Sequence, residues 1–319
     1  MRILKQISRT VKFTKNLYKE KGTVLSLLES GNIPFVRFAT PGHFYSPIPD
    51  LTTLKSDATV LFDTSAETIP SIDLNEDKQI QLTETFSNFY NDLPFSDQPT
   101  EQLRYFFDNA YFSYGDGVIL YAFLRNFRPK RVIEVGSGYS SALMLDINDM
   151  FIHKEVEFTF IEPFPDRLLK LLRIADHRSV CIEKKPVQEV EMSLFSSLEE
   201  NDILFIDSSH VGKLGSDVLH ILFNIIPQLN QGVIIHFHDI LWPFEYPEIW
   251  LEGGRAWNEA YFLRAFLINN TSLEIVYFNS YMATHHSSLL VETMPKMLEV
   301  PTSRVTPGNT SLWLRVLAD

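Results

Sequence analysis

Four short stretches of this sequence place polar residues where apolar runs stop. In Val132-Ile133-Glu134-Val135-Gly136-Ser137-Gly138-Tyr139-Ser140-Ser141 a carboxylate precedes two glycines spaced G-x-G. Such glycines let a backbone turn tightly and approach a ligand closely. Ser141 stands where a dinucleotide-binding pattern has its third glycine, and Glu134 would repel a pyrophosphate. The same carboxylate suits a ligand with ammonium or sulfonium charge. Glu162, in Phe160-Ile161-Glu162-Pro163, can accept both hydroxyls of a ribose. Asp207-Ser208-Ser209-His210 and His236-Phe237-His238-Asp239 bring oxygen and imidazole donors together. Residues i and i+2 on a strand share a face, so His236 and His238 point the same way. With Asp207 and Asp239 they could hold a divalent cation. Each stretch also has a plainer reading: a tight turn without a ligand, a solvated acid, a hydrogen-bonded core histidine.

These residues need a frame that brings them together. Apolar runs at 131–135, 157–162, 179–183, 203–207, 232–238 and 273–278 alternate with helical patterns near 117–127, 140–150, 165–175, 213–227 and 256–269. Almost wholly apolar strands joined by helices predict a parallel sheet covered on both faces. A last run, Ser311–Val316, follows the turn signal Pro307-Gly308-Asn309 and is expected to add an antiparallel strand. The expected fold is α/β, a doubly wound, mostly parallel sheet with a mainly helical N-terminal addition. Ligands of such sheets lie at the carboxyl ends of the strands, where all four stretches fall. The expected division is 1–110, helical and loop-rich, and 111–319, the α/β domain. Short helices are expected near 77–90 and 99–108, and the proline-punctuated segment Pro41–Asp50 reads as an ordered loop.

Composition narrows the class. The 319 residues are 45% hydrophobic and 21% charged, ordinary for a soluble globular protein. The net charge of −12 repels phosphate backbones and argues against a nucleic-acid partner. Cys181 is the one cysteine, so no internal disulfide is possible, which fits a reducing, cytoplasmic setting. Residues 1–22 run against the acidic trend, with Arg2, Lys5, Arg9, Lys12, Lys15, Lys19 and Lys21 against Glu20 alone. Their spacing predicts a basic amphipathic helix. It would dock on the acidic body of its own or a sister subunit, or touch anionic lipid reversibly.

The order of motifs resembles the class I S-adenosylmethionine-dependent methyltransferases, over roughly residues 110–280. The resemblance implies a Rossmann-like methyltransferase fold and S-adenosylmethionine as cofactor. It places Glu134, Gly136, Ser137, Gly138, Tyr139 and Ser140 under the methionine end of the cofactor and Glu162 on its ribose. It also puts Gln188 beside the adenine and Asp207 at the next strand end. The D-x-x-H and x-D arrangement is similar to metal-dependent O-methyltransferases of the catechol and macrolide-sugar type and to an uncharacterised bacterial subgroup of them. That likeness implies Asp207, His238 and Asp239 as ligands of a divalent metal ion and His210 as general base beside Asp207. His238 stands where an acid or amide is usual, favouring a borderline transition ion over magnesium. The implied reaction is O-methylation of a sugar or other small molecule, by an enzyme that is often a homo-oligomer. Trp242–Tyr246 and Trp257–Tyr261 would wall the acceptor site. Two alternatives stay open: a metal-dependent hydrolase using Asp207, His210, His236, His238 and Asp239, and a non-catalytic cofactor-binding protein.

Overall fold

The computed structural model describes residues 38–50, 52, 54, 57–302 and 308–318. The basic segment 1–22 lies outside them. The described residues belong to two compact units, one made of chain up to Leu61 with Glu248–Ala256, the other of Phe62–Pro247 with Trp257 onward. In the first, Pro41–Asp50 is a series of turns and bends as expected, closed by Gly42 N–H donating to the Ile48 carbonyl (3.0 Å).

The second unit is built on seven strands: β1 (Arg131–Val135), β2 (Glu157–Ile161), β3 (Val180–Glu183), β4 (Ile203–Ile206), β5 (Ile234–Phe237), β6 (Leu273–Phe278) and β7 (Leu312–Val316). Their order is β3-β2-β1-β4-β5-β7-β6. The first five are parallel, while β7 runs antiparallel between β5 and β6. The order reverses between β1 and β4, and there the Val135↔Ile206 pair sets the glycine turn beside Asp207. β1, β4 and β5 are buried almost throughout, as strands covered on both faces must be.

The helices used below are α1 (Glu76–Tyr90), α2 (Tyr114–Phe127), α3 (Tyr139–Phe151), α4 (Asp166–Leu171), α5 (Asp217–His220), α6 (Glu259–Leu267), α7 (Asn279–His285) and α8 (Ser287–Thr293). α2 is buried at every residue from Tyr114 to Leu124, so it is an interior helix, not an amphipathic one. The 213–227 pattern is α-helical over Asp217–His220 and continues as a π-helical turn over Ile221–Ile225. The helix expected at 99–108 is absent; that stretch is bends and extended chain. Its main chain is bound sideways instead: the Arg104 and Tyr105 N–H groups both donate to Asp146 Oδ2 of α3, at 2.7 and 2.9 Å. Residues 279–293 form α7 and α8, with His285 edge-on to Trp242 and His286 paired with Glu76 (2.8 Å). Among the described residues no helix is long and apolar enough to cross a membrane.

Candidate active site

The β1 turn is shaped by its first glycine. Gly136 has φ +81°, and a Cβ there would stand 1.9 Å from the Asp207 carbonyl oxygen. Only a residue without a side chain lets β1 and β4 end so close together. Gly138 is freer, since its Cβ would meet the Arg167 stem at 3.1 Å. Glu134 lies buried beneath this turn. Ser140 Oγ donates to its Oε1 (2.5 Å) and Ser141 Oγ to its Oε2. Burial, reinforced by the charge of Asp207, pushes the Glu134 carboxyl up to about 8 against the two hydroxyls. Through these two bonds Glu134 also braces the start of α3 to β1. Tyr139 stacks on Tyr111 and meets Phe106 edge-on.

A cavity of about 490 Å³ opens at these strand ends, lined by Gly136, Glu162, Phe164, Gln188, Asp207 and Lys213 among others. That volume falls within the ordinary range for small-molecule sites, roughly 300–1,000 Å³. Glu162 accepts from the Phe164 N–H (2.8 Å) and the Ser137 N–H (3.2 Å), which fixes its carboxylate at the rim. Gln188 donates to the Gly215 carbonyl (2.9 Å). Ser209 is tied to Asp217 of α5 by its N–H (2.8 Å) and its hydroxyl (2.6 Å).

His210, at φ +59°, is buried at the β4 end. Its Nδ1 lies 2.8 Å from Glu259 Oε2, and its Nε2 lies 3.4 Å from Asp207 Oδ1 and 3.7 Å from Asp239 Oδ2. Trp257 covers the ring at 4.4 Å between centroids. Burial works against a charged imidazole, but Asp207, Glu259 and Asp239 outweigh it and hold the group well above its usual value. Burial pushes Asp207 up in turn, yet His238, His210 and Arg167 keep its carboxyl below the usual range. Glu259, the first residue of α6, is buried and also accepts from Ser208 Oγ (2.9 Å). Sequence reading passed over it, 49 positions from His210. The available signal was its place beside the aromatic Trp257 at a helix start.

His236 is not part of this group. Its ring stacks on Phe205 at 3.7 Å and packs against Trp313 at 4.6 Å. Its Nε2 lies 2.9 Å from Ser311 Oγ, whose hydroxyl donates to Asp116 (2.7 Å). Since that hydroxyl has one proton, His236 Nε2 must be the donor to it. Burial and the neighbouring His238 depress the imidazole well below its usual value. Buried in the core with Nε2 committed to Ser311, His236 does not line the cavity, as the hydrolase alternative requires. His238 is buried against Phe112 (5.1 Å), and among the described residues neither of its ring nitrogens has a hydrogen-bond partner. The expected metal set of Asp207, His238 and Asp239 does not converge. Among the described residues no three His, Cys, Asp or Glu side chains are placed to hold an ion. The two aspartates face Nε2 of His210 instead, at 3.4 and 3.7 Å, and in this arrangement the three expected ligands do not fit a shared ion.

A family model described as a methyltransferase domain matches residues 133–240, from β1 to just past β5. The chain carries a methyltransferase domain. An uncharacterised protein of Archaeoglobus fulgidus is 32% identical over 197 residues, covering 61% of this chain and 89% of that protein. Similar solved structures include Podospora anserina methyltransferase PaMTH1 bound to S-adenosylhomocysteine, 15% identical with a TM-score of 0.40, covering 86% of this chain and 99% of that one. The O-methyltransferase TomG of Streptomyces achromogenes, in complex with S-adenosylmethionine, is 10% identical with a TM-score of 0.38, covering 84% of this methyltransferase and 96% of that chain.

Proposed function

We propose that this methyltransferase modifies a hydroxyl oxygen of a small-molecule or glycan acceptor, with His210 as the group that takes the proton. The observation carrying this reading is the His210 ring, anchored at Nδ1 by buried Glu259 and facing Asp207 and Asp239 with Nε2. S-adenosylmethionine, when bound, supplies a sulfonium methyl group for in-line attack by the acceptor oxygen. Glu162 would accept the ribose hydroxyls, the wall from Pro186 to Gln188 and the exposed Phe164 would flank the adenine, and anionic Asp207 would face the positive end. An attacking alcohol loses its proton as the new bond forms. His210 can take that proton at Nε2, because Glu259 orients the ring and stabilises the resulting imidazolium. The upward shift of His210 leaves it protonated near neutrality, so turnover should climb as pH rises beyond the ordinary imidazole range. The division of labour needs no metal.

Calorimetric titration with S-adenosylmethionine tests the cofactor half of the reading, and transfer of labelled methyl to components of a metabolite extract tests the other half. Binding, with transfer that survives excess chelator, is the expected result. Absence of binding would remove the reading, and activity dependent on added divalent metal would restore the metal-assisted form expected from the sequence.

A further inference from the structure

We infer that Arg167, at the second position of α4, recognises the carboxylate at the methionine end of S-adenosylmethionine; this rests on the cofactor reading above. Among the described residues the Arg167 guanidinium makes no hydrogen bond or ion pair. It is held by an aromatic face instead, with its central carbon 3.8 Å from the Tyr111 ring centroid. Tyr111 is itself stacked on Tyr139, 5.8 Å between centroids and 14° between planes. That second ring belongs to the first residue of α3, directly after the glycine turn. Stacking fixes the plane of a guanidinium while leaving its N–H edges free. The stem crosses Gly138, where a Cβ would lie 3.1 Å from Cδ and 3.8 Å from one terminal nitrogen. Arg167 thus stands over the turn on which the methionine end is expected to lie, and its charge is one of those that lower the Asp207 carboxyl.

Charge bookkeeping selects the ligand group. Glu162, Asp207 and Asp217 line the cavity with negative charge, which suits the ammonium and sulfonium groups of the cofactor and opposes its one carboxylate. That carboxylate needs a cation outside the acidic wall, and a planar fork pairs with it through two parallel N–H bonds. Lys213, the cation lining the cavity itself, lies in the wall shared with Gly215, Ser216 and Asp217, on the chain that bonds Gln188 and so on the adenine side.

The test compares S-adenosylmethionine with its decarboxylated form, which keeps the adenosine, the sulfonium and the ammonium. Calorimetry on the full chain should show the wild type binding the carboxylated form more tightly by roughly ten- to a hundredfold, the range for a charge-assisted pair. Arg167→Met should erase that preference, without weakening binding of the dicationic decarboxylated form, and Arg167→Lys should retain part of it. Tyr111→Leu, which removes the platform and keeps the cation, should reduce the preference to an intermediate value. Undiminished discrimination in Arg167→Met, or none in the wild type, overturns this inference alone. Failure of the wild type to bind either compound overturns the cofactor reading and this inference with it.

Discussion

His210 sits at a positive φ of 59°, so the variant that isolates its chemistry is asparagine, which tolerates the left-handed region better than alanine does. His210→Asn is expected to lose roughly 10²–10⁴ in turnover, the usual worth of a positioned base, with S-adenosylmethionine affinity retained; single-turnover assays and calorimetry read the two effects separately. Glu134 sets up a second test at this scale. Its ordinary value is 4.5 and the folded one about 8. Between those values the folded chain keeps a proton that the unfolded chain has lost, so stability falls as pH rises through that window. Each unit is worth about 1.4 kcal/mol. Glu134→Gln should flatten the decline in melting temperature between pH 5 and 8. The two glycines of the turn should also part company. Gly136→Ala is expected to lose roughly 1–2 kcal/mol from its left-handed backbone alone and more from the Asp207 carbonyl, whereas Gly138→Ala meets a flexible stem and should melt near the wild type.

Among the elements, the chain before α2 is held by one buried cation. Arg104 reaches Asp176 through Nε (2.8 Å) and a terminal nitrogen (2.5 Å), and Asp146 (2.6 Å) and Asp149 (2.9 Å) through the other. It ties residues near 104 to α3 and to the turn before β3, and Arg173 adds its charge to Asp146 and Asp149 from outside. Removing one member of such a buried set leaves unpaired charge behind, so Arg104→Met should cost about 3–5 kcal/mol, measured by urea unfolding. The same network explains why no helix forms over 99–108. Pro99 at its start and Glu101 to Arg104 are compatible with a helix, but Asp146 takes up two main-chain N–H groups that a helix would have used. Tertiary hydrogen bonding wins over local preference.

At the scale of the whole molecule, every residue lining the cavity lies between Val135 and Asp217. A chain beginning at Gly31, without the basic segment, is therefore expected to bind S-adenosylmethionine as tightly as the full chain, with equal dissociation constants as the check. Vesicles of anionic lipid at low salt decide what that segment does: co-sedimentation of the full chain but not the shortened one is the outcome that basic amphipathic spacing predicts for a lipid contact, and its absence leaves docking on protein.

Period and composition were enough to find the strands. All seven runs were legible within a residue or two, because a strand buried on both faces must be apolar throughout, and that is written locally. So was the position of the candidate site, since polar residues that end such runs fall at the carboxyl edge of the sheet whatever the packing. What each polar residue does there was not local. That Glu134 is bonded by both Ser140 and Ser141 through its two oxygens was not legible from its place before the glycine turn. His236 and His238 share a face as alternation required, yet Ser311, Phe205 and Trp313, brought in by β7 and β4, made His236 a core residue. Against burial, Asp207 nearby, with Glu259 and Asp239 far along the chain, raised the His210 imidazole above its usual value. Side-chain type and spacing limit which bonds a residue can make, but burial and partners from distant segments decide its protonation, and only folding brings those partners within reach.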